Sequence, residues 1–190
     1  MIHPHSKVDL ARVDGSDNDI ALAASICYGK KYIDNTKVDG LLKALLKQKH
    51  LTPFEWGRMW FTIRCTRACH SQFLQYRTAS RVTRSLRRTE PIEIEENLYT
   101  SVMDQATFDW YEVAIKSGIP REEARKGLTM DTLTDFHWYI DIRNLMHFLD
   151  ERLAKDAQDE IRFLADGIEE LFADSFPITH QYWRELKDAK

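Results

Sequence analysis

Apolar residues recur at helical spacing along most of this chain and gather in short runs elsewhere, a pattern of helices with a little strand. Ser16 or Asp17 can cap a helix running through Tyr28, with Ile20, Ala24 and Cys27 on one face and Gly29 after its end. The spacing of Val38, Leu41, Leu42, Leu45 and Leu46 predicts a second helix over Lys37 to Lys47. Pro53 breaks any helix that follows. Met59 to Cys65 is aromatic and β-branched, which predicts a strand. A helix opens at Arg67, with Ala68, Phe73, Leu74 and Arg77 at compatible spacing, and gives way to a basic loop ending at Arg88.

Beyond that loop, Glu90 to Glu96 alternates as a short strand would, and Thr100 to Lys116 reads as a helix carrying Val102, Ala106, Trp110 and Val113. Gly118 closes it, and Pro120 opens a short helix. Thr129 to Tyr139 favours strand by its threonines and aromatics. Two helices follow. One runs from Asp141 to Leu153 with the stripe Ile142, Leu145, Met146, Leu149 and Leu153; the other runs from Asp156 to Phe172 with Ile161, Leu164, Ile168 and Leu171. No repeat or linker splits the chain, so residues 1–190 are expected to form one α+β domain, mostly helical with a small, mainly antiparallel sheet.

Composition narrows the class. The 43% hydrophobic and 30% charged residues describe a soluble globular chain. The net charge of −3 argues against general nucleic-acid binding. No apolar run is long enough for a membrane span and no secretory signal is visible. Three cysteines, Cys27, Cys65 and Cys69, are too few for a disulfide framework and lack the partners of a zinc site, so a cytoplasmic protein without a metal is expected.

Against that acidic background the basic segment is local. Arg77, Arg81, Arg84, Arg87 and Arg88 alternate with Ser80, Thr83 and Ser85, and no acidic residue occurs between Arg67 and Glu90. Guanidinium and hydroxyl groups together satisfy the several oxygens of a phosphate, although such a cluster can also be plain solvated surface. Arg125 and Arg152 fall on regular elements near apolar positions. A buried arginine keeps its proton and needs an anion, which a ligand or a structural partner such as Asp150 or Glu160 could supply. Spacing alone names no reaction.

The runs HLTPFE, RACHSQFLQYRTASRVTRSLR, IPREEAR and FHW-x3-IRNLMHFLDER-x4-AQDEI, in this order, resemble the flavin-dependent thymidylate synthases, the ThyX family, across nearly the whole chain. The resemblance implies transfer of one carbon from methylenetetrahydrofolate to C5 of dUMP. Reduced FAD supplies electrons and NADPH reduces it, in a homotetramer whose sites are shared between subunits. No cysteine nucleophile is implied. By matching position, Gln72, Ser85, Arg87 and Arg125 are expected to bind the nucleotide. Arg152 is expected to bind and activate the pyrimidine ring, as the catalytic residue. His50, Thr52 and Arg77 fall on the flavin side.

That flavin side also departs from the family hallmark R-H-R-x-x-S-x-N-E-x-S-x-R. Gln75 and Tyr76 replace its first arginine and its histidine, and Val82 and Thr83 replace its asparagine and glutamate. Asp141 and His147 stand where the family has asparagines. These changes trade favourable contacts to a dianionic pyrophosphate for neutral or repulsive ones, unless Tyr76 stacks on the flavin where the histidine sat. Two alternatives therefore stay open beside dUMP methylation. One is flavin-independent hydroxymethylation of dUMP, UMP or dCMP from methylenetetrahydrofolate; the other is an inactive relative that binds a nucleotide or nucleic acid.

Overall fold

The computed structural model of the chain describes residues 4–30, 34–92 and 102–189. In order, the elements are β1 (Lys7–Asp14), α1 (Asp17–Ser25), α2 (Val38–Lys47), β2 (Arg58–Thr66), α3 (Arg67–Phe73), β3 (Ser80–Thr83), α4 (Val102–Lys116), α5 (Arg121–Ala124), β4 (Leu133–Asp141), α6 (Ile142–Arg152), α7 (Asp159–Ser175) and α8 (Pro177–Asp188). The strands form an antiparallel sheet in the order β1-β2-β4-β3. The expected class, mostly helical α+β with a small antiparallel sheet, holds.

The central pairing of β2 with β4 sorts the side chains by face. Met59, Phe61 and Ile63 lie opposite Ile140, Trp138 and Phe136, and all six are buried under the helices. Trp60, Thr62 and Arg64 pair with Tyr139, His137 and Asp135 on the other face. Each central strand runs straight into a helix through a capping side chain. Thr66 accepts from the Cys69 amide at 3.1 Å to start α3, and Asp141 accepts from the Asn144 amide at 2.9 Å to start α6. Glu160 on α7 fixes the first junction, accepting from the Thr66 amide and hydroxyl at 2.9 and 2.6 Å. The two helices meet where Phe73 stacks on Phe148 at 5.2 Å. A second, smaller apolar cluster of Tyr111, Ala114, Ala124 and Leu128 joins α4 to α5, with Leu86 packed against it.

Several expectations need correction. The first α-helix ends at Ser25, and the 3-10 turn over Ile26–Tyr28 leaves Cys27 exposed rather than facing the core. The basic segment is not all loop, because Ser80–Thr83 pairs with β4 as an edge strand. The late strand spans Leu133–Asp141 rather than starting at Thr129, and the following long helix spans Asp159–Ser175. Strand β1 and helix α8 were not anticipated. Trp56 is 67% exposed, whereas Trp183 is only 6% exposed, because α8 lays it on the core. The strand expected over Glu90 to Glu96 is absent at residues 90–92, and its remainder lies outside the described residues, as do Thr100 and Ser101.

Among the described residues no helix is long and apolar enough to cross a membrane, and no group of three or more His, Cys, Asp or Glu is placed to hold a metal ion.

Candidate active site

The five arginines of the basic segment separate by role. Arg81 turns back onto α3, donating to the carbonyls of Phe73 at 2.5 Å and Tyr76 at 3.1 Å, so it closes the C-terminal end of that helix. Arg84 pairs with Asp135 at 3.6 Å and donates to Thr89 and the Glu90 carbonyl. Burial works against the Asp135 carboxylate, but the Arg64 hydrogen bonds, with the charges of Arg64 and Arg84, hold its pKa below the ordinary range. These two arginines are structural. Arg77 and Arg88 are exposed, and Arg87 forms an exposed ion pair with Glu122 at 3.4 Å.

Ser85 and Arg125 line one cleft of about 700 Å³ with Arg67, His70, Ser71, Thr83, Arg84 and Lys126, above an apolar side made by Leu74, Leu86 and Met130. The sequence folds this way because Leu86, between Ser85 and Arg87, packs on the same cluster that carries Ala124. Arg125 is steadied by its Nε–H, which donates to the Glu122 carbonyl at 3.3 Å; the Glu122 carboxylate holds Arg87. His70 sits 3.1 Å from the Thr83 hydroxyl. Burial, then the charges of Arg81 and Arg67, lower its pKa, favouring the neutral ring. Among the described residues no carboxylate lines the cleft. Cations, hydroxyls and a neutral imidazole beside an apolar wall suit a phosphorylated heterocycle. Arg67 and His70, one turn apart on α3, and Leu74, just past its end, were not expected as site residues from the sequence; their helical spacing was the available signal.

Gln72 and Arg152 lie elsewhere in the chain. Gln72 donates to Gln158 at 2.7 Å, at the turn between α6 and α7. Arg152 ends α6, donates from Nη2 to Gln75 Oε1 at 2.8 Å and lies 5.3 Å from the Tyr76 ring centroid. Its Nε is buried with no partner among the described residues. Neither Asp150 nor Glu160 neutralises it: Asp150 accepts from Trp183, and Glu160 from Ser6 and Thr66. Tyr76 is only 8% exposed, packs on Phe148 at 5.0 Å and donates to Glu151 at 2.5 Å. It is therefore core, not a free platform for a flavin ring.

Around the flavin-side expectations, His50, Thr52 and Arg77 are exposed. Lys49 and Leu51, the neighbours of His50, line a second cleft of about 440 Å³ with Lys47, Arg143, Asn144, His147, Asp150 and Lys187 around Leu46, Met146 and Trp183. The apolar floor suits an aromatic group, and Lys47 and Lys49 offer charge to an anionic linker such as that of FAD, while Arg143 is paired with Glu55 and Lys187 lies near Asp150. Asp141 takes no part in that lining; it is occupied as the α6 cap.

Over residues 9–178 the sequence matches the protein family described as thymidylate synthase complementing protein. The flavin-dependent thymidylate synthase of Wolbachia pipientis wMel is 27% identical over 211 residues, covering 95% of this chain and 74% of its own. That of Thermosipho melanesiensis is 29% identical over 202 residues, covering 90% and 87%. Among solved structures, the UMP/dUMP methylase PolB from Streptomyces cacaoi bound with 5-Br dUMP aligns with a TM-score of 0.83 at 24% identity, over 95% of each chain. This likeness supports the fold. The chain belongs to the thymidylate synthase complementing family, the ThyX family, and is an enzyme of the thymidylate synthase or nucleotide methyltransferase type.

Proposed function

We propose that this enzyme transfers one carbon from methylenetetrahydrofolate to C5 of a pyrimidine nucleoside monophosphate, with dUMP giving dTMP as the main reaction. The observation carrying this reading is the Arg152 guanidinium, which keeps a buried nitrogen without a partner while a neutral amide and a ring hold its other side. A cation kept in that state is poised for a ligand that gains negative charge. Against the pyrimidine, it favours loss of the N3 proton and electron density at C5, stabilisation on the order of 3 kcal/mol. Ser85 and Arg125 hold the phosphate in the larger cleft, Arg87 approaches it from the rim, and Gln72 orients the base.

The Ser85 and Arg125 cleft does not include Arg152. The reading therefore takes the family's homotetramer, in which one protomer's Arg152 meets a nucleotide held by another's cleft. FAD, when bound, supplies the two electrons that make the transferred carbon a methyl group, and NADPH restores it. The residues to hold it are His50, Thr52 and Arg77, with Arg143 and the lysines of the smaller cleft.

A second reading, hydroxymethyl transfer, is favoured by one observation: Gln75 and Tyr76, at flavin-facing positions of the hallmark, are both turned to Arg152. Water then completes the transferred carbon and no reductant is consumed. Internal use of Arg81 and Arg84 disfavours the basic segment as a nucleic-acid patch. The test is calorimetry with dUMP and UMP, then mass spectrometry of the product formed from methylenetetrahydrofolate with and without reduced FAD. A methyl adduct that requires flavin supports the main reading. A product with one added oxygen overturns it for the second, and absence of nucleotide binding overturns both.

A further inference from the structure

The contacts around Arg152 form a built arrangement distinct from the Ser85 and Arg125 cleft. Its guanidinium is oriented by two residues that follow α3. Gln75 Oε1 accepts from Nη2 at 2.8 Å, and the Tyr76 ring lies beneath at 5.3 Å. Both are themselves fixed. The Gln75 backbone N–H donates to the Gln72 backbone carbonyl at 3.3 Å, and the Tyr76 backbone carbonyl accepts from Arg81 at 3.1 Å. The Tyr76 hydroxyl donates to Glu151 at 2.5 Å, while the ring is held between Phe148 at 5.0 Å and His147 at 6.2 Å. These contacts hold the guanidinium through Nη2 and its face, and the buried Nε has no partner among the described residues.

The chemistry of the partner matters. A glutamine amide accepts a hydrogen bond without cancelling the cation, so the full positive charge remains for a ligand. A carboxylate at that place would neutralise it. An arginine, which the family hallmark carries there, would set two like charges within hydrogen-bonding reach. The buried face of Tyr76 adds attraction to the cation without offering an acid.

We propose that Gln75 is the positioning residue of Arg152, with the Tyr76 ring as its floor: together they keep the guanidinium aimed without pairing its charge, a task exchanged for the flavin contacts of the hallmark. This rests on the reading of Arg152 as the group that meets the pyrimidine. Misplacement of a reacting group by about 1 Å can cost a hundredfold in rate, so the effect is expected in kcat rather than in nucleotide binding.

Gln75 is exposed, so substitutions there leave the core intact. The test uses Gln75→Leu, Gln75→Glu and Gln75→Arg in the full chain, with two readouts. The first is the Nε–Hε resonance of Arg152, assigned by its loss in Arg152→Lys. The second is steady-state transfer to dUMP. The expected result for Gln75→Leu is a resonance lost to solvent exchange and a kcat lowered by about 10- to 100-fold, with KM for dUMP within about threefold. Gln75→Glu should keep the resonance while lowering kcat, because orientation survives and charge does not. Gln75→Arg should lose both. An unchanged resonance in Gln75→Leu, or an undiminished kcat in Gln75→Arg, overturns the proposal. Equal rates for wild type and Arg152→Ala would instead overturn the functional reading, and the resonance would still decide whether Gln75 fixes Arg152.

Discussion

Asp135 holds Arg84 twice: its backbone carbonyl accepts from the Arg84 amide at 2.8 Å, and its carboxylate lies 3.6 Å from the Arg84 guanidinium. The same carboxylate takes two hydrogen bonds from Arg64 on β2, at 2.7 and 3.0 Å. This cross-strand pair on the open face of the sheet therefore sets where the chain leaves β3 and where Ser85 begins. Asp135→Asn leaves two half-buried guanidiniums without their anion. The expected loss is about 1–2 kcal/mol, tempered by partial exposure, with several-fold weaker dUMP binding. Denaturant unfolding and calorimetry check both; unchanged values in each would show that the pair does not position the segment.

Two arginines that look alike in sequence should behave oppositely. Arg81→Ala removes the donors that close α3 and should cost about 1–2 kcal/mol of stability. Arg125→Ala removes a cation from the larger cleft. It should weaken dUMP binding about 10- to 100-fold, with little effect on unfolding. Denaturation and titration of both variants under the same conditions separate the two roles.

A third prediction concerns acid. The His180 hydrogen bond, together with the Arg184, His180 and Lys187 charges, holds Glu169 below its ordinary value of 4.5 despite partial burial. A carboxylate lowered by folding stabilises the protein above its unfolded pKa, and that contribution disappears as pH falls through the folded value. Wild type should therefore lose stability below about pH 4.5 more steeply than Glu169→Gln. Parallel acid-unfolding curves for the two would contradict the assignment.

Gly57 offers a packing test. A Cβ there would meet Phe176 at 2.7 Å and Ile142 at 2.9 Å, both in the buried core, so Gly57→Ala should destabilise by about 1–3 kcal/mol. Thermal unfolding measures it, and a neutral result would mean that α6 and α8 can shift apart at little cost.

Much of the fold was legible because its helices bury one regular stripe: α2 keeps Val38, Leu42, Leu45 and Leu46 inside, and α6 keeps Ile142, Leu145, Met146 and Leu149 inside. Elements at the margins were not. Strand β1 breaks its alternation at an irregularity between Leu10 and Arg12, and β3 is a four-residue edge strand with no buried side chain. Helix α8 is polar over most of its length and docks chiefly through Tyr182 and Trp183. The site divides along similar lines. Ser85 and Arg125 share a cleft because Leu86 anchors both, a contact across the chain that no local spacing reveals. The structural duties of Arg81 and Arg84 depend on partners in α3 and β4, so charge pattern alone could not set them apart from Arg125.

The central claim is that a nucleotide held at Ser85 and Arg125 of one protomer is acted on by Arg152 of another. Mixing Arg125→Ala and Arg152→Ala proteins after dissociation and reassembly, assayed at dUMP too dilute for either variant alone to turn over, tests it most directly. Random assortment pairs the two intact halves in about a quarter of the sites, so dTMP formation should return to about a quarter of the wild-type rate. A mixture as inactive as its components, despite confirmed subunit exchange, would contradict the account.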